Sequence, residues 1–135
     1  MNFTGWENYG LRAMLNITAH SAKGCTQASE IAQRQRIPPQ YLQHVLTALR
    51  VEELIIGTRG QNGGYRLARP AESITAGCIF QALSGPLLPP ELLLTDTIGT
   101  PKAQAVQQLW QAMYDALQTV SDGTTLQDLL HTKDT

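Results

Sequence analysis

Apolar side chains recur at three- and four-residue intervals along much of this 135-residue chain, the spacing that gives a helix one apolar face. The cleanest case is 39–51. There Leu42, Val45, Leu46 and Leu49 fall at i, i+3, i+4 and i+7, while Gln40, Tyr41, Gln43, His44, Thr47 and Arg50 take the other side. That outer side carries donors and acceptors with almost no acid, whereas a merely solvated helix more often mixes lysine with glutamate. Residues 4–21 read as an earlier helix through Trp6, Tyr9, Ala13, Met14 and Ile17, with Gly5 and Gly24 near its ends. A short helix over 27–35 follows, with Ala28, Ile31 and Ala32 inward and Thr26 as its expected cap. Ile37-Pro38-Pro39 breaks the chain before the third helix, because proline disfavours helix at the residue before it and is welcome in a first turn.

The period then changes. Leu54 to Thr58 and Tyr65 to Ala68 are short β-prone runs around Arg59-Gly60-Gln61-Asn62-Gly63-Gly64. Asn-Gly and Gly-Gly permit the positive φ of a tight hairpin, so a two-stranded ribbon is predicted. The glycine cluster lacks the Gly-Lys-Ser/Thr ending of a phosphate loop. Helical spacing returns at 75–83, through Ile79, Phe80 and Leu83, and at 102–121, through Val106, Leu109, Trp110, Met113, Leu117 and Val120. The second stripe suits pairing on a larger interface, the alternative being packing on its own domain. A proline-punctuated connector, 85–101, with an apolar Leu92-Leu93-Leu94, separates the two, and 124–130 closes as a short capped helix. The expected fold is mainly α with a small two-stranded β wing: a winged helix-turn-helix over 1–84, the connector over 85–101, and a long C-terminal dimerisation helix with its tail over 102–135.

Composition adds one asymmetry. The net charge is −1, yet residues 1–70 hold eight basic residues against four acidic, and 71–135 hold two against seven. Six of the basic residues lie between 34 and 69 and all are arginine. A polyanion meets the local face and not the sum, so nucleic acid stays open beside the plainer possibility of solvated arginines. No secretory signal is visible at the start, and the most apolar stretch, 83–94, is interrupted by prolines and too short to span a bilayer. A cytoplasmic protein without membrane contact is expected. His20, His44 and His131 are isolated, and there is neither a nucleophile-elbow pattern nor metal-ligand spacing, so an enzyme is not expected.

Several segments together resemble one family. They are Tyr9-Gly10-Leu11-Arg12-Ala13-Met14-Leu15, Glu30-Ile31-Ala32, Tyr41 to Arg50, Arg59 to Pro70, Ile74-Thr75, Ala82 to Pro86, Leu109-Trp110 and Thr125 to Leu130. In these the chain resembles the Rrf2-type bacterial winged-helix transcription regulators, the IscR-, NsrR- and CymR-like proteins. The resemblance implies a homodimer paired through the long helix, acting, as a repressor, on a pseudo-palindromic operator in double-stranded DNA. It places helix 39–51 in the major groove and the 59–64 turn against the neighbouring minor groove. Gln40, Gln43, His44 and Arg59 match its DNA-contacting positions, with Tyr41 beside them; Thr47, Arg50 and Arg66 complete the expected DNA face. The chemistry suits the roles. Glutamine pairs with adenine edges, hydroxyls reach phosphates, and arginine enters a narrow minor groove.

The chain departs from the family in one respect. Many members hold an iron–sulfur cluster on three cysteines in the connector, and 85–101 contains none. Cys25 and Cys78 do not fill those positions, so no cofactor is expected. The alternative is a redox sensor with a non-standard ligand set drawn from Cys78, Glu7 and His20 across the dimer. Glu91 and Asp96 offer a divalent-metal or ligand site, against a simply solvated connector. A protein-interaction adaptor is the second functional class, with Leu92-Leu93-Leu94 as its contact; an effector would then be a small molecule or a protein.

Overall fold

A computed structural model describes residues 5–86 and 99–132. Helix α1 (Gly5–Ala19) runs into a 3₁₀ turn at Ser21–Lys23, then come α2 (Ala28–Gln35), α3 (Pro39–Val51), strands β1 (Ile55–Thr58) and β2 (Gly64–Leu67), a second 3₁₀ turn at Ala71–Ser73, α4 (Ala76–Ser84), α5 (Pro101–Gly123) and α6 (Leu126–Leu130). This is the expected winged helix-turn-helix with a long helix appended. The predicted stripe of α3 is wholly buried: Leu42, Val45, Leu46 and Leu49 are at most 1% exposed. They meet Ala13, Met14 and Ile17 of α1, Ile31 of α2 and Ile79 of α4 in one core. Glu7 and Trp6 fasten α1 to the end of α4. The Ser84 hydroxyl donates to Glu7 Oε1 at 2.7 Å, and Trp6 Nε1 donates to the Leu83 carbonyl at 2.9 Å.

Two local expectations are corrected. Thr26 does not cap α2. Gln27 holds the N-cap position without a side-chain bond, while Thr26 forms a β-bridge with Tyr65, its N–H donating to the Tyr65 carbonyl at 2.8 Å and its carbonyl accepting at 2.7 Å. Backbone pairing with the ribbon outcompetes the cap and ties the wing to the start of α2. The wing itself is antiparallel, with Ile55 opposite Leu67 and Thr58 opposite Gly64, but its turn is longer than a two-residue hairpin. Positive φ falls on Gly60 and Gly64 and not on Asn62 or Gly63. Gly63 is required for a different reason: a Cβ there would collide with the Thr58 carbonyl.

Helix α5 has 23 residues, about 35 Å at 1.5 Å per residue. Thr100 caps it, accepting from the Ala103 N–H at 3.2 Å, and Pro101 sits at its first turn. Its C-terminal end crosses α4 so closely that a Cβ on Gly77 would strike Asp122. The chain then doubles back. The Ala76 N–H donates to the Thr124 carbonyl at 2.8 Å and the Leu126 N–H to the Ile74 carbonyl at 2.9 Å. A reciprocal capping box of Thr125 and Asp128 starts α6, and Leu126, 1% exposed, enters the core built by α1–α4.

Candidate nucleic-acid interface

All eight side chains expected to face DNA belong to exposed residues. Six of them line α3, whose first turn follows Pro38 and Pro39. The N–H groups of Gln40 and Tyr41 have no intrahelical acceptor, a favourable place for a phosphate. Tyr41 is 58% exposed and leans on Tyr9 of α1, ring centroids 6.3 Å apart at 51°. The Thr47 hydroxyl donates to the Gln43 carbonyl at 2.8 Å, so its hydrogen is committed along the helix and its oxygen is left to accept.

The wing extends this face. Arg59 opens the turn, and Arg66 stands opposite Ile56, outward of the half-buried Tyr65 and Leu67. At the far end of α3 the Arg50 side chain lies against Gly57 of β1. An open groove of 660 Å³ there is lined by Arg50, Glu52, Glu53, Ile55, Ile56, Gly57, Ala68 and Arg69. All six arginines between 34 and 69 are exposed. Among the described residues one ion pair forms, Arg34 to Glu30 at 3.1 Å. Arg36, Arg50, Arg59, Arg66 and Arg69 therefore keep their charge available to a polyanion, screened by salt.

Arg69 is the functional candidate that residue patterning passes over. It is one of the six clustered arginines, but nothing in the sequence names its neighbour, which is set by the fold. That neighbour is Cys78 on α4. Burial pushes the Cys78 thiol up, but hydrogen bonds from the side chain and backbone of Thr75, together with the Arg69 guanidinium, outweigh it and hold the thiol below its ordinary value. The Thr75 hydroxyl lies 3.2 Å from Cys78 Sγ.

The alternative ligand set is not assembled within one chain. Glu7 and His20 stand at opposite ends of α1, thirteen residues and about 20 Å apart at 1.5 Å per residue. His20 Nδ1 lies 2.8 Å from the Asn16 carbonyl, and Cys78 is engaged with Thr75. Among the described residues no three His, Cys, Asp or Glu side chains gather in metal-binding geometry. Glu91, Asp96 and Leu92-Leu93-Leu94 lie outside the described residues. Among the described residues no helix is long and apolar enough to cross a membrane.

The stripe on α5 meets the opposite fate from that on α3. Val106, Leu109, Met113 and Val120 are 44–69% exposed, Trp110 and Leu117 are half-buried, and Ser121 is the one buried residue of the helix.

Comparison with known proteins gives a consistent picture. The family model described as "Rrf2: Iron-dependent Transcriptional regulator" matches residues 5–132. The HTH-type transcriptional regulator CymR of Bacillus subtilis is 36% identical over 121 residues, covering 90% of this chain and 83% of that protein. The structure of CymR (YrzC), the global cysteine regulator of B. subtilis, superposes with a TM-score of 0.84 at 31% identity, covering 99% of each chain. The IscR structure from T. potens superposes with a TM-score of 0.79 at 26% identity, covering all of this chain and 94% of that one. The family description includes iron, but the donors present here do not fit a thiolate-held cluster within one chain. Such clusters take several cysteines, and the two thiols sit apart, Cys25 in the loop before α2 and Cys78 on α4.

Proposed function

The chain belongs to the Rrf2 family of transcriptional regulators, and from that premise we propose that it acts in the cytoplasm as a homodimeric repressor on a pseudo-palindromic operator. Membership makes it a DNA-binding, winged-helix regulator of transcription and not an enzyme. The finer reading concerns how this particular chain does the work. The observation that carries it is the pairing of an acid-poor, exposed face on α3 with five arginines that have no carboxylate partner among the described residues.

In this reading Gln40, Gln43 and His44 meet base edges in the major groove. Tyr41, Thr47 and Arg50 hold phosphates, and Arg59 enters the adjoining minor groove with Arg66 on the backbone beside it. Base edges and phosphates divide the labour: the first group sets sequence, the second sets register and affinity. The exposed stripe of α5 joins two copies about a twofold axis, which presents two α3 helices to successive major grooves, about 34–36 Å apart. Repression then follows from occupancy of a promoter-overlapping site. The input reaches the protein as a small molecule or a protein partner, since the donors for a family-type cluster do not come together in one chain.

The test is selection of bound sequences from a random or genomic DNA pool, followed by footprinting. A two-fold symmetric site with half-sites one helical turn or a multiple apart is the expected result. Selection of no consensus, or of a single asymmetric half-site by a monomer, overturns the operator reading.

A further inference from the structure

We propose that the pocket between α1, the end of α2 and α6 binds a small amino acid, with Arg12 taking its carboxylate and Asn16 its amino group. The pocket has a volume of 280 Å³ and is lined by Arg12, Leu15, Asn16 and Ala19 of α1, Gln35 of α2 and Leu129 of α6, among others. That is just below the range for small-molecule sites, about 300–1,000 Å³, and suits a ligand no larger than an amino acid.

Two polar groups in it are incompletely satisfied. Arg12 Nε donates to Gln35 Oε1 at 3.2 Å, and its Nη2 donates to the Gln35 carbonyl. A guanidinium has five N–H donors, so three remain. Tyr9 lies 5.9 Å from the guanidinium carbon, but among the described residues no carboxylate pairs with it. The second group is Asn16, one turn further along the same face of α1. It is 7% exposed, and its Oδ1 is fully buried with no hydrogen-bond partner among the described residues. Buried amides are normally paired, and each exception needs an explanation.

One ligand answers both. A lone anion would satisfy Arg12 and leave Asn16 orphaned, whereas a lone amine would satisfy Asn16 and add a second positive charge beside Arg12. A carboxylate and an ammonium on one small skeleton fit the two together. The carboxamide turns about its last, soft torsion to present its oxygen. The remaining wall, Leu15, Ala19, Leu129 and Leu130 with Thr132, is mostly apolar and leaves room for a short side chain. The contact to Gln35 gives the site its leverage. Gln35 ends α2, Arg36 closes it with a φ of 53°, and Ile37-Pro38 leads straight into α3. A carboxylate that recruits Arg12 therefore acts on the turn that sets the angle of α3. This consequence rests on the proposed operator reading; the binding itself does not.

The experiment is calorimetry and amide NMR on the whole protein without DNA, titrated with each of the twenty standard amino acids. Acetate and methylammonium serve as single-group controls. One or a few amino acids with short side chains are expected to bind and to shift the amides of α1 and α6. Asn16→Leu, and Ala19→Phe at the exposed rim, should each weaken that binding about tenfold or more. No heat and no shifts at millimolar amino acid overturn the proposal. So does acetate binding as tightly as the best amino acid, or binding left unchanged in the Ala19→Phe protein, whose substitution lies at the solvent-facing edge and tests the pocket even if Asn16→Leu fails to fold. An operator titration with and without the amino acid then reads the coupling. Ligand binding without any DNA recognition would sink the operator reading and leave the pocket standing.

Discussion

Helices α3 and α5 carry apolar stripes of the same period, yet one is sealed inside its own domain and the other is mostly exposed. On α3 the leucines and Val45 are at most 1% exposed; on α5 Val106, Leu109, Met113 and Val120 are 44–69% exposed. The difference is what surrounds each helix. α3 lies between α1, α2 and α4, so Leu42, Val45, Leu46 and Leu49 all find partners in the same chain. α5 crosses α4 at its C-terminal end and turns into α6, and its one buried residue, Ser121, lies there, while most of its apolar stripe stays exposed. A stripe thus reports that something will cover it and is silent on whether that partner lies in the same chain.

The sharpest way to break this contrast is to put the same charge into both stripes. Leu46→Asp buries a carboxylate with no partner, a cost of several kcal/mol against a total stability of about 5–15 kcal/mol. It should leave no cooperative thermal transition. Leu109→Asp with Met113→Asp should keep the far-UV circular dichroism and a cooperative transition but sediment as a monomer, and lose tight binding to a palindromic site. A double variant that stays dimeric would place the dimer contact elsewhere.

The polar sides of the same two regions differ as well, since the α3 side continues into the wing and its arginines. Arg59→Ala should weaken DNA binding by about 1–3 kcal/mol, read by titration at fixed salt, with no change in melting temperature. Unchanged affinity removes Arg59 from the interface. A smaller effect tests the joint between the regions. Thr125→Ala removes the capping box that starts α6 and should cost about 1 kcal/mol in denaturant unfolding, because α6 clasps the end of α5 to the core. A loss near zero would show that Leu126 alone holds the clasp.

The smallest expected effect concerns Cys78, on the helix that α5 crosses. Its thiol titrates below its unfolded value, so the folded state favours the thiolate. The resulting stabilisation is absent at low pH, appears as pH rises through the folded value and is complete above the unfolded one. Arg69→Gln should move the thiol titration, followed by thiolate absorbance, towards higher pH. A titration that does not move would assign the shift to Thr75 alone.

Most of the fold was legible because it rests on local rules. The i, i+3, i+4 spacing of α3 and the Pro-Pro start predicted a helix over about 39–51, where Pro39–Val51 is found, and the glycine-rich turn between β-prone runs located the wing. The candidate DNA face was legible for the same reason: once four positions of a helix point inward, its polar residues have one direction left. The misplaced cap depends on a distant partner. Thr26 has the chemistry of a cap, but Tyr65, far along the chain, claims its backbone.

By itself, then, the sequence determined the elements, their apolar faces and the charge they present, because periodicity, turn chemistry and side-chain type act over a few residues. Tertiary structure alone decided that Leu126 returns to the core, that Arg69 attends Cys78, that Arg12 grips the end of α2 beside an Asn16 whose Oδ1 has no partner among the described residues, and that most of the α5 stripe stays exposed. Each of these depends on groups brought together across long stretches of chain, and contacts of that kind are set by packing and not by any local pattern.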